Sequence, residues 1–423
     1  MLDVVRPGDA AYRRLQHVYS GTGTPHAILL PTDANGVIDA LAFAGAVGGA
    51  LSVRSGGHGI SSIATNAGGT VIDLGRLNDV ERIGDSTVRI GPGARWGQVA
   101  EKLQPWGLAI SSGDSGDVGV GGLATTGGIG LMGRAHGLTI DRLTSVQMIT
   151  ADGQFHDASE KHNSDLFWAV RGAGANVGIV TSFTFEASTT PLVARATMAY
   201  QLKYPAVFLT EWGDALERAP REISAFLYIG AGDAPFAQAL IVYAGAEVEA
   251  AAAALKPFAE LPGIIGQNAR VVPYAHVPQT SNTPHNGQQT AFTHTGLADH
   301  LNAELSHAVA GLLSDKSTLM VQIRSVGGMI NDIPTDATAY AHRHQNFSIT
   351  AMAAAESASF EEAWMPVRSR MSGLYLSFES SHDPAYIREA FPTPTLERLR
   401  TIKSFWDPED RFNQNFDVTR ALV

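Results

Sequence analysis

The stretch Arg54-Ser-Gly-Gly-His58, read together with Val118-Gly-Val-Gly-Gly122, decides the architecture of this chain. Adjacent glycines let a backbone approach a bulky anion such as a pyrophosphate. His58 is then held beside whatever that turn binds. The second stretch lies in a longer loop, Gly113 to Gly130, with eight glycines in eighteen positions. A tight turn carrying a histidine and a long Gly-rich loop predict a large phosphate-bearing cofactor, and with it redox chemistry.

The segments around the turn read as α/β. Ala27 to Pro31, Leu51 to Val53, Val71 to Leu74 and Thr87 to Ile90 are short strands, and Asn35 to Ala50 has helical spacing with Asp33 or Asn35 as cap. Ala94 to Leu103 is predicted helical, with further strands at Ser145 to Thr150 and Gly178 to Phe185. The character changes near Ser188-Thr-Thr-Pro191. Strands at Ala225–Ile229, Gln238–Ala244 and Thr318–Arg324 then mix with helices at Val248–Glu260, Leu297–Leu313 and Ser359–Met371. That mixture predicts an α+β domain with an antiparallel sheet. Val271 to Thr295 is the longest irregular stretch, and a loop of that length either covers a site or is a mobile surface segment.

Composition narrows the function classes. With 423 residues, 44% hydrophobic and 17% charged, the chain builds a sizeable core and is not disordered. A net charge of −11 without a basic cluster argues against nucleic acid. No apolar run is long enough to span a membrane, and the N-terminus lacks the pattern of a secretory signal, so a cytoplasmic enzyme is expected. There is no Cys, which removes disulfides, thiolate metal sites and Cys nucleophiles. The histidines at 285, 294, 300 and 307 lack ligand spacing, so no metal is expected.

Gly119-Val-Gly121-Gly-Leu-Ala124 matches a dinucleotide fingerprint, with Asp141 twenty residues beyond Gly121. Its context fails: Thr125–Gly137 holds five glycines, so no helix is expected to open there and receive a pyrophosphate. The two Gly-rich segments instead form one cradle, in which backbone N–H groups supply the donors.

The same residues carry a family resemblance. Arg54-Ser-Gly-Gly-His58, Val71-Ile-Asp-Leu74, Val118–Gly122, Gly127-Gly-Ile-Gly130 and His136-Gly-Leu-Thr-Ile-Asp141 resemble, in order and spacing, the berberine-bridge-enzyme-like flavoproteins of the vanillyl-alcohol-oxidase superfamily, bacterial members in particular. Asp165 to Gly174, Asn176 to Thr181, Gly327 to Ile330, Ala337 to Arg343 and Asp407 to Phe412 extend the likeness, which covers about residues 25–190 and 320–415. It implies an α+β fold: a PCMH-type FAD-binding domain built from both chain ends (1–190, with 385–423 returning to it) and an α+β substrate domain with an antiparallel sheet (191–384). It also implies a cofactor set of Arg54, Ser55, Gly56, Gly57, His58, Gly59, Ser115, Val118, Gly119, Gly121, Gly122, Thr126, Gly127, Gly128, Gly130, Gly178, Ile179, Val180, Asn413 and Asn415.

By that resemblance His58 bonds to the flavin 8α carbon. The second, cysteinyl bond of many relatives falls at Ser115 and is excluded, so FAD is held by one covalent bond. Leu123 stands where plant relatives carry a flavin-supporting His. The base is less well marked. Tyr375-Leu-Ser-Phe378 matches a Tyr-x-Asn-Tyr/Phe motif, giving Tyr375 as candidate and Glu379 as a weaker one, while Phe378 takes no proton. Tyr340 and His344 share a face if 337–344 is helical, and with His342 they are candidates for lining the substrate cavity. The implied activity is hydride removal from an alcohol or amine carbon of a small or natural-product molecule, with O₂ reoxidising the flavin to give H₂O₂. A ring-forming or oxygenating flavoenzyme, and a flavin-binding protein with little turnover, are the alternatives.

Overall fold

The computed structural model describes residues 2–281, 285–288 and 291–420, arranged around three sheets. In the first, β1 (Asp3–Val5), β2 (Ala27–Leu30), β3 (Leu51–Arg54) and β4 (Thr70–Asp73) pair in the order β1-β2-β4-β3. β4 runs parallel to both β2 and β3. β2 and β4 are buried at every position, which is why their sequence does not alternate. The helix Ala34–Val47 crosses from β2 to β3, and Asp33 caps it by accepting from the Gly36 amide at 2.7 Å. Arg54 ends β3, so the glycine turn that follows lies at the carboxyl end of a parallel strand, where ligands approach such sheets.

The second sheet is antiparallel. β5 (Val80–Arg82), β6 (Thr87–Ile90), β7 (Leu143–Ile149), β8 (Phe155–Ser159) and β9 (Ile179–Glu186) pair as β5-β6-β9-β7-β8. The chain ends close on these two layers. Lys403, in the helix Thr393–Trp406, is buried and bonds the Asn176 and Phe412 carbonyls and Asp407. Arg411 reaches the carbonyls of Leu41 and Ala151 at 2.8 and 2.6 Å. Phe412 joins the core of β2 and its crossover helix.

The third sheet is antiparallel throughout. β10 (Leu192–Gln201), β11 (Ile223–Gly230), β12 (Phe236–Tyr243), β13 (Ile264–Pro273), β14 (Phe292–Ala298), β15 (Thr318–Ser325) and β16 (Phe347–Ala353) run in the order β13-β10-β12-β11-β15-β16-β14. Alternation sorts its side chains. Ala225, Leu227, Ile229, Val321 and Ile323 pack with residues of the helices Pro205–Arg218, Val248–Ala259, Ala303–Ser314 and Ala358–Arg368. Phe208 and Phe258 are fully buried there, each contributing about 1.5–3 kcal/mol by area. Phe226, Leu240 and Val242, on the other face, pack with Trp96, Val120 and Tyr375 of the Gly-rich layer.

Several expectations are corrected. A helix does open in the fingerprint, Val120–Thr126. Glycine propensity is overridden because tertiary acceptors hold its first turn: Val120 and Gly121 amides donate to Ala94 and Pro92 carbonyls at 2.9 and 3.0 Å. Those donors are occupied, so this N-terminus is not a Rossmann-type phosphate seat. Leu297 lies in β14, and the helix begins only after Asn302, whose side chain caps Leu305. The irregular stretch is shorter than its polar composition implied, because β13 runs to Pro273 and β14 starts at Phe292. Residues 282–284 and 289–290 of that stretch, and 421–423 of the C-terminal segment, lie outside the described residues. Residues 337–344 run as bent, irregular chain, not a helix; Arg343 fixes them by bonding the Tyr340 carbonyl, Thr338 and Asp141 instead. Among the described residues no helix is long and apolar enough to cross a membrane.

Candidate active site

The turn after β3 is clamped from behind. Arg54 is buried, paired with Asp73 at 2.7 Å and donating to the Leu15 carbonyl, so it supports the turn rather than facing a ligand. Ser55 donates to the Pro92 carbonyl and accepts from the Gly121 amide, tying the two Gly-rich segments together. Their backbones touch: a Cβ on Gly56 would lie 2.5 Å from the Gly119 nitrogen, so neither position tolerates a side chain.

Past this clamp the amides of Gly56, Gly57, His58 and Gly59 donate to no group among the described residues. Gly57 takes a φ of +66°, the kind of backbone turn with which successive unengaged amides can cradle an anion. His58 stacks on Tyr19 with centroids 4.2 Å apart, and His285 lies 5.3 Å away. His285 reaches the Gly56 carbonyl at 3.0 Å, which brings a segment of the 274–291 loop over the turn. The His58 Nδ1 atom is buried without a hydrogen-bond partner. Burial, then the positive fields of His285 and Arg95, lower the His58 pKa to about 4, against the opposing carboxylates of Asp117 and Asp114. The imidazole is therefore neutral at physiological pH, and a neutral ring keeps one nitrogen lone pair for bond formation.

A cavity of about 140 Å³ continues from the turn, lined by Ser55, Gly121, Gly122, Thr126, Gly178 and Asn415 among others, including Ile179 and Val180. Gly122 has open space where a side chain would stand. Asn413 faces a second cavity of about 420 Å³ beside Ser61 and Ser62. Ser115 accepts from the Asp117 amide at 3.4 Å and bridges to Gln279 in the covering loop. Val118, half-buried, accepts from the Trp96 amide. Gly128 and Gly130 pack instead against Thr139 and against Ser111–Ser112, and thus hold the loop from beneath. An elongated group with a pyrophosphate and a flat ring fits this donor set: free amides at one end, a glycine-walled slot and an unpartnered imidazole nitrogen.

The remaining candidates separate. Tyr375 is buried, accepts from the Gly128 amide at 3.0 Å, and sits edge-on to Tyr340. Both rings bear on Gly127, at φ +145°, a conformation open to glycine. Ser377 meets Thr126 at 2.9 Å, so the Tyr-x-Ser-Phe stretch docks on the cradle's edge. Glu379 belongs to another network. Its oxygens meet His294 at 3.1 Å and the amides of Thr295 and Ser381, while His294 also pairs with Glu361. His342 is buried against the Ala390 carbonyl with its ring edge-on to Tyr340, centroids 5.8 Å apart, whereas His344 is largely exposed beside Asp299 and stands apart from both.

Burial lowers the His342 pKa from 6.5 to about 4, so it enters the fold neutral. Its unfolded form takes up a proton first as pH falls. Stability from this residue is therefore full above 6.5 and lost down to about pH 4, by roughly 3 kcal/mol at about 1.4 kcal/mol per tenfold change in proton affinity. Urea midpoints at neutral and acidic pH should converge in His342→Gln; an unaltered pH dependence would refute this.

Sequence reasoning missed a polar cluster where the third sheet faces the Gly-rich loop: Asp114, Tyr228, Gln322 and Arg324. Its only trace in the sequence is alternate polar positions in otherwise apolar strands, Tyr228 in β11 and Gln322 and Arg324 in β15.

The profile of an FAD binding domain matches residues 25–159. A chitooligosaccharide oxidase of Gibberella zeae is 39% identical over 170 residues, 40% of this chain but only 35% of its own length. The chain thus matches about a third of that relative's sequence. (R)-6-hydroxynicotine oxidase of Paenarthrobacter nicotinovorans is 26% identical over 98% of this chain and 96% of its own. Among solved structures, glucooligosaccharide oxidase from Acremonium strictum superposes with a TM-score of 0.86 at 23% identity, over 100% of this chain and 98% of that one. That protein is described with a 6-S-cysteinyl, 8α-N1-histidyl FAD.

Proposed function

We propose that this chain, which carries the FAD-binding domain and the fold of the berberine-bridge-like flavoprotein oxidases, is an FAD-linked oxidase tethered to its flavin through His58 alone. Its reaction is removal of a hydride from an alcohol or amine carbon of a small molecule, with O₂ as final acceptor and H₂O₂ as product. The observation that carries this reading is the neutral, buried, unpartnered Nδ1 of His58 beside four unengaged amides. Bound FAD supplies the two-electron acceptor.

On this reading residues 1–190 and 385–423 hold the flavin, and 191–384 cover it with the polar face of the third sheet. The amides of Gly56, Gly57, His58 and Gly59 hold the pyrophosphate, with Ser55 tying the turn to the Gly-rich loop behind them. Gly121, Gly122, Thr126, Ile179, Val180, Asn413 and Asn415 line the rest of the flavin. Tyr340 and Tyr375 wall the reacting side, and the covering loop with His285 excludes water from the tether. Ser115 leaves the flavin with a single bond, because no Cys exists to form another.

Anaerobic mixing with a panel of oligosaccharides, secondary alcohols and cyclic amines tests the reading. At least one class should bleach the flavin, and air should restore its colour with release of H₂O₂. Failure of every class would overturn the oxidase assignment.

A further inference from the structure

We propose that Asp114 is the proton acceptor of this active site, positioned by Tyr228 and by a Gln322–Arg324 relay. The proposal rests on the oxidase reading and names the residue that completes it.

Asp114 lies on the Gly-rich loop and is only partly buried. Its Oδ2 accepts from the Tyr228 hydroxyl and from Gln322 Nε2 at 3.3 Å. No hydrogen bond among the described residues reaches Oδ1, and that atom is not among the buried, unsatisfied ones, so it is open to a ligand. The Gln322 carbonyl accepts from Arg324 Nη2, and this fixes its amide to donate toward Asp114. Arg324 is 2% exposed, bonds Thr350 at 3.3 Å and lies 3.6 Å above the Phe378 ring. No carboxylate stands within ion-pair distance of it among the described residues. A buried cation so placed is costly unless a nearby anion compensates it, and Asp114 does so through the amide.

The charge of Asp114 reaches both halves of the site. It acts on His58 and Tyr19 at the cradle, and on Tyr228 and Arg324 at the sheet. The competing groups are otherwise engaged. Phe378 has no titratable atom, Glu379 is held by His294 and two amides, and the Tyr375 hydroxyl accepts from the Gly128 amide at 3.0 Å, holding the loop. Burial and Asp114 keep the Tyr228 phenol protonated, so it donates. In the proposed step the substrate O–H or N–H bond breaks and its proton passes to Asp114 Oδ1. The C–H pair leaves as hydride to oxidised FAD, and a C=O or C=N bond forms. Asp114 then releases the proton to water.

The test compares wild-type holoprotein with Asp114→Asn, Asp114→Glu and Tyr228→Phe, each first checked for covalent flavin and native circular dichroism. Acid titration of the flavin absorbance should show a step that Asp114→Asn abolishes and Asp114→Glu restores. With a bleaching substrate, Asp114→Asn should slow limiting flavin reduction by about 10²–10⁴-fold with little change in half-saturation. Retention of the titration step and of the reduction rate in Asp114→Asn would overturn the proposal. A panel that never bleaches wild type would overturn the oxidase reading instead, and the titration would still decide whether Asp114 faces the flavin.

Discussion

Replacing His58 with alanine should leave the protein with no acid-stable flavin. Acid-precipitated wild type should be yellow and the variant colourless, with all its flavin in the supernatant. The chain has no Cys, so no second anchor competes. The neighbouring His285 is turned to the Gly56 carbonyl at 3.0 Å, whereas His58 Nδ1 has no partner. The variant should still bind FAD reversibly, because the amides of the turn are backbone groups that the substitution leaves in place. Its melting temperature should then depend on added FAD, as a dissociable ligand requires. Flavin that stays attached to His58→Ala would show that another residue is the anchor.

Lys403→Met should cost about 3–5 kcal/mol of stability, the range for removing one partner of a buried ion pair. Lys403 is 1% exposed and holds Asp407 and Asp410 at 2.8 Å each, together with the Asn176 and Phe412 carbonyls. Methionine fills similar volume and leaves the Asp407 carboxylate, itself buried, without its cation. The damage should spread to the cradle, since the segment that Lys403 pins carries Asn413 and Asn415. Chemical denaturation should show the stability loss, and flavin fluorescence should rise as the site opens. A variant within about 0.5 kcal/mol of wild type, the range of an ordinary surface substitution, would contradict this role.

The parts of the molecule that were legible in the sequence are those whose chemistry is local. The turn at 54–58 and the loop at 113–130 each announce themselves by their own runs of glycine. Asp33 and the apolar runs of β2 and β4 likewise announced the crossover helix and the buried parallel strands. Local reasoning failed where distant partners decide. The helix Val120–Thr126 exists because Ala94 and Pro92 accept its first amides. The 337–344 segment follows Arg343 to Asp141, two hundred positions away in the chain, not its own helical spacing. Asp114, Tyr228 and Gln322 come from three elements and meet only when the sheet closes over the loop. Glu379 sits next to the docking stretch, yet folding turns it toward His294.

The mass of the intact holoprotein under denaturing conditions tests the central claim most directly. It should exceed the mass of the polypeptide by one FAD, and a proteolytic map should place that increment on the peptide containing His58. A denatured chain at the polypeptide mass alone, or an increment on a peptide without His58, would contradict it.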